Sequence, residues 1–120
     1  MSLRQRLIPL ATPAEVDSFI AENPRCAIFK AGMCHKTAET FRSVESHLGP
    51  HPDIPVALIR VIEHRAASDR VAERTGFRHE SPQIILFRDG AAVFEANNWD
   101  ITDEAMAEGA ARFAPTPHPA

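Results

Sequence analysis

The chain has 120 residues, 44% of them hydrophobic and 24% charged, the make-up of one globular domain able to build its own core. Thirteen Lys and Arg stand against sixteen Asp and Glu, a net charge of −3 with no basic cluster along any segment, so nucleic acid is not an expected partner. Behind Arg4 and Arg6 the apolar stretch Leu7–Leu10 is too short for a secretory signal or a membrane span, so a cytoplasmic location without membrane contact is expected.

In chain order, Thr12-Pro13-Ala14-Glu15 is a capping box with proline at the first helical position, opening a helix that buries Val16, Phe19 and Ile20. Asn23-Pro24 ends it. Cys26-Ala27-Ile28-Phe29 is a short continuous apolar run, as in a buried central strand. A helix follows from about Cys34 to Leu48, with Ala38, Phe41, Val44 and Leu48 on its inner face. Ile54 to Ile62 is a second buried run. A polar helix over Ala66 to Thr75 is closed by Gly76. Ile84 to Phe87 is a third strand, and Asp89-Gly90 turns the chain back along Ala91 to Ala96. The last helix starts near Asp100 or Thr102 and buries Ile101, Ala105 and Phe113. An edge strand near Leu7 completes the pattern, and 115–120 is a Pro-rich, flexible tail after a single domain spanning 1–114. Strands alternating with helices, plus one hairpin, imply a mixed central sheet sandwiched by helices, an α/β fold.

The two cysteines are too few for a disulfide scaffold. Cys34 follows a buried strand and stands at the first turn of a helix, where the dipole and free N–H groups favour a thiolate. That placement suits a redox nucleophile, with Lys36 adding positive charge; position alone equally allows an inert helix-start cysteine. Three residues on stands Thr37, so no resolving thiol faces Cys34; Thr37 can donate to the thiolate or cap the helix. Cys26 reads as core, since the intervening strand spans about 13 Å, beyond disulfide reach. Pro82 begins a strand, where proline is tolerated, and the Ser81–Pro82 bond is trans by base rate and cis if functional. Trp99 reads as core before exposed platform. No metal site is expected: His47 and His51 are separated by Gly49 and Pro50, and no carboxylate completes a set.

Several segments together resemble the monothiol bacilliredoxin C family, within the thioredoxin-like superfamily. They are Phe29-Lys30-Ala31-Gly32-Met33-Cys34, Val61-Ile62-Glu63-His64-Arg65, Ala72-Glu73-Arg74 with Gly76, His79-Glu80-Ser81-Pro82-Gln83, and Trp99-Asp100-Ile101-Thr102. The resemblance implies a thioredoxin-like fold that removes bacillithiol from mixed disulfides on other proteins. It implies Cys34 as nucleophile, Thr37 in the place of the family's usual serine, and a cis-proline at Pro82; Thr37, Lys36 and His35 are expected to support the thiolate. Ser81, Pro82, Met33 and Trp99 then border the substrate groove. Bacillithiol enters as co-substrate or transient adduct rather than a resident cofactor. The expected partners are S-bacillithiolated proteins and a low-molecular-weight thiol. The family usually has proline and a small apolar residue after the cysteine, where this chain has His35 and Lys36. One alternative is a general monothiol reductase using another small thiol; the difference at His35 and Lys36 also leaves open a redox-silent module binding an extended peptide.

Overall fold

The apolar run containing Cys26 forms β2 (Arg25–Ala31), the middle strand of a five-stranded sheet. A computed structural model of the chain describes residues 1–113. Its sheet runs β1 (Ile8–Pro9), β3 (Val56–Arg60), β2, β4 (Gln83–Arg88), β5 (Ala91–Asn97) from edge to edge. β2 is parallel to β3 and antiparallel to β4. The parallel pair requires a long crossover, which α2 (His35–Leu48) provides. The β4–β5 pair closes through Asp89 and Gly90 at φ 52° and 85°, the left-handed pair a type I′ turn needs.

Alternation along the strands builds two cores. Ala27, Phe29, Ile84 and Leu86 meet Phe41 and Val44 of α2 and Met106 and Phe113 of α4 (Asp103–Phe113). Cys26, Ile28, Ile85 and Phe87 meet Val16 and Ile20 of α1 (Pro13–Glu22) and Val71 of α3 (Arg65–Thr75). Thr12 and Glu15 close both halves of the α1 capping box, and Gly76 ends α3 at φ 76°. This is the mixed α/β sandwich that the resemblance implies.

The expected element boundaries shift for local reasons. β3 stops at Arg60 because its partner β2 ends opposite, at Ala31. Ile62, expected in the strand, therefore lies in a turn and is 61% exposed. Thr40 rather than Ala38 is buried on α2, and Ala38 borders an open cavity. On α4, Met106 and Gly109 are buried where Ala105 is half-buried. Trp99 belongs to a 3-10 turn, Asn98–Asp100, and is 53% exposed rather than core, because β5 ends before it and α4 starts after it. The expected tail, 115–120, lies outside the described residues.

Two variants test this architecture by denaturant unfolding. Ile85→Ala, in the middle of the sheet with no exposed surface, is expected to cost about 2–5 kcal/mol. Thr12→Ala, which removes the capping hydroxyl, is expected to cost about 1 kcal/mol.

Candidate active site

At the end of β2 the chain turns through Gly32 and Met33 and brings Cys34 to the N-cap of α2, with φ −82° and ψ 161°. The sulfur-bearing residue is exposed and Cys26 is buried. Partial desolvation works upward on the Cys34 thiol, but the Lys36 and Thr37 N–H groups, the Lys36 charge and the Thr37 hydroxyl outweigh it and hold the pKa below the ordinary value. Cys26 is driven the other way: burial alone pushes its thiol up to about 12.

The loop before β4 closes against this turn. The Ser81–Pro82 bond is cis. A β-carbon at Gly32 would lie 2.6 Å from Ser81 Oγ, so a larger residue there would force the Ser81 hydroxyl to turn away. Thr37 does not cap its helix. Its Oγ1 accepts the Gly32 N–H at 3.2 Å, which leaves the hydroxyl proton free for the neighbouring sulfur. The Pro82 carbonyl accepts from Asn98 N–H at 2.8 Å, while among the described residues neither backbone polar group of Ser81 meets another backbone group.

The two residues that follow the cysteine reach toward the far end of β5. Lys36 Nζ donates to Asn98 Oδ1 at 3.0 Å, and Asn98 Nδ2 donates to Glu80 Oε2 at 3.1 Å. Asn98 holds φ 52°, a conformation asparagine tolerates better than most residues. The His35 ring lies 6.0 Å from that of Trp99, tilted by 52°. Met33, 86% exposed, borders a shallow cleft with Arg60 and Ile62 on the β3 side of the turn. Ser81, Pro82 and Trp99 lie toward β4 and β5, so the expected groove residues divide between the two sides of Cys34.

Beneath the loop is a polar cluster that the sequence reading does not single out. Lys30, on β2, has no exposed surface, and its Nζ lies 3.3 Å from His79 Nδ1, with Ser68 Oγ at 3.1 Å from the same atom. With Lys30 charged, its ammonium can only donate, and Nδ1 is then the acceptor. Burial pushes Lys30 down to about 8 against the pull of the Asp69 carboxylate. Burial, followed by the Lys30 charge, keeps the His79 pKa low. The cluster ties β2, α3 and the loop carrying Pro82 into one unit.

One accessible thiol at a helix start after the central strand, in a mixed sheet between helices whose neighbouring strand β4 is entered through a cis-proline, defines a thiol-disulfide oxidoreductase of the thioredoxin fold. The chain is similar to a structure described provisionally as an oxidoreductase with a thioredoxin fold (25% identity, TM-score 0.81, covering 90% of this chain and 96% of that one). It shares its fold with mitochondrial thioredoxin 3 of Saccharomyces cerevisiae (16% identity, TM-score 0.73, 90% and 96% covered). It also shares it with the thioredoxin of Fasciola hepatica (17% identity, TM-score 0.72, 90% and 100% covered). The monothiol bacilliredoxin BrxC family matches residues 8–106, and the chain belongs to that family.

Two pH measurements follow. In a Cys26→Ser background, alkylation of Cys34 is expected to show a midpoint below ~8.5, the value of a free cysteine. Thr37→Val and Lys36→Met each raise the midpoint, the latter by no more than an exposed charge allows. Lys30 titrates at about 8 in the folded chain and at roughly 10.4 unfolded, so the unfolded chain binds more protons between those values. Stability therefore rises as pH climbs through that window, and Lys30→Met flattens the rise in unfolding experiments.

Proposed function

We propose that the chain removes bacillithiol from mixed disulfides on other proteins, with Cys34 as the nucleophile. The supporting observation is the separation of its two thiols: Cys34 exposed at a helix start with a lowered pKa, Cys26 buried with a raised one. Thr37 stands where a resolving cysteine would be needed. The Cys34 thiolate attacks the bacillithiol sulfur. A Cys34–bacillithiol disulfide forms, the bond to the protein sulfur breaks, and the protein leaves as a thiolate that takes a proton from water. Cys34 is oxidised and the protein sulfur reduced.

Without a resolving thiol, a second low-molecular-weight thiol reduces Cys34 and departs as a disulfide with bacillithiol, so no cofactor stays bound. Thr37, Lys36 and His35 support the thiolate and its helix start. Ser81 offers unpaired backbone groups to an extended protein segment, Pro82 fixes that loop, and Trp99 and Met33 supply exposed apolar contact. A reducing cytoplasm suits a thiol that must be returned to its reduced form. Among the described residues no helix is long and apolar enough to cross a membrane.

The test is adduct transfer followed by intact mass. A protein carrying a bacillithiol disulfide, incubated with the reduced chain, is expected to lose the adduct while Cys34 gains it. Cys26→Ser transfers at a near-normal rate and Cys34→Ser transfers nothing. Activity retained in Cys34→Ser, or an internal Cys26–Cys34 disulfide as product, overturns the proposal. A wild type that takes up no adduct between about pH 6 and pH 9, across the usual range of thiol activation, identifies a silent peptide-binding module instead.

A further inference from the structure

Cys34 stands between two unlike surroundings. The central strand leads into it, so whatever is built on β3 and β1 lies to one side and whatever follows β4 and β5 lies to the other. Pro82 and Trp99 are on the second side. On the first is a cavity of about 580 Å³, with Cys34 in its wall, Phe41, Leu7 and Leu58 among its apolar residues, and Arg4 and Arg60 as its charged ones. That volume is in the range of small-molecule sites, ~300–1,000 Å³.

The two arginines reach the cavity wall from different elements. Arg4, in the 3-10 turn ahead of β1, lies over the Phe41 ring at 5.6 Å, and Arg60 closes β3. Among the described residues neither forms an ion pair, although other arginines do, such as Arg70 with Asp17 and Arg25 with Asp53. The neighbouring carboxylates stay outside the cavity. Glu45 accepts the Arg4 backbone N–H at 3.4 Å, and Glu63 borders an adjoining cleft with Arg60. No acidic side chain among the described residues lines the cavity itself.

We infer that this cavity is the subsite for the small-thiol half of the mixed disulfide, and that Arg4 and Arg60 select thiols carrying carboxylates away from their sulfur. The inference rests on the exchange reading above and assigns its two leaving directions. In-line displacement sets attacking, central and departing sulfurs in a row. The thiol that stays on Cys34 is held in the arginine cavity, and the protein departs along the cis-proline side. Guanidinium groups bind carboxylates with paired, directional hydrogen bonds, and a cavity wall of low polarity strengthens them. Bacillithiol, with its malyl carboxylates, and glutathione both have the required chemistry; a neutral thiol such as 2-mercaptoethanol does not.

The test compares capture rates from one carrier protein bearing bacillithiol, glutathione or 2-mercaptoethanol as its mixed disulfide. The expected result is that Arg4→Gln combined with Arg60→Gln slows capture of the carboxylate-bearing thiols about tenfold or more, the scale of a lost charged hydrogen bond. The 2-mercaptoethanol rate stays within about twofold, because no charged contact is lost there. Lysine at both positions restores part of the loss, and Arg25→Gln, at the opposite end of β2, changes none of the three rates. Equal losses for all three thiols, or no loss for either carboxylate thiol, overturns the subsite while leaving Cys34 exchange intact. A wild type inert toward every disulfide overturns the exchange reading and the subsite together.

Discussion

The contact between Gly32 and Ser81 sets the position of everything at this end of the sheet. With no β-carbon at Gly32, the loop before β4 comes close enough that Ser81 Oγ occupies the space a larger residue would need. The same glycine presents its N–H to Thr37, which fixes the hydroxyl on the first turn of α2. Cys34 lies between these two attachments, so its sulfur is held by a turn that is anchored on both flanks. Lys30, His79 and Ser68 brace the loop from below. A hydrogen-bonded cluster at that depth resists deformation, because each member left unpaired would cost about 1–3 kcal/mol.

His35 and Lys36 tether the start of α2 through their side chains. Lys36 is bound to Asn98 and through it to Glu80, and His35 faces Trp99. Both tethers run to the β5 side, which leaves the β3 side of Cys34 open over the cavity. The helix N-terminus still acts on the sulfur, since its N–H groups come from the backbone and depend little on which side chains follow.

Much of this is legible in the sequence. Continuous apolar runs mark the strands, the capping box marks α1, and the Asp-Gly pair marks the hairpin, because each of these depends on residues close together in the chain. The site is legible in part: the position of Cys34 after a strand and the absence of a thiol at Thr37 both follow from local spacing. The buried Lys30 does not stand out, because its partners His79 and Ser68 are distant in the chain and only the fold brings them together. A signal exists, since strand alternation puts Lys30 on the same face as Cys26 and Ile28, which belong to the core. Arg4 and Arg60 are equally silent, as a cavity between an N-terminal turn and the end of a strand leaves no periodic trace. Trp99 reads as core on residue type, whereas its exposure depends on where β5 stops.

The burial of Cys26 gives the protein a simple stoichiometry. A thiol held at about 12 within the sheet is neither ionised nor reachable by reagents in the native chain, so each folded molecule offers one equivalent of reactive sulfur. Thiol titration of the native chain therefore counts one group and titration in denaturant counts two. The difference between the two counts is a direct gauge of how much of a preparation is folded. A thiol-linked mass increment on the native chain reports the occupancy of a single position.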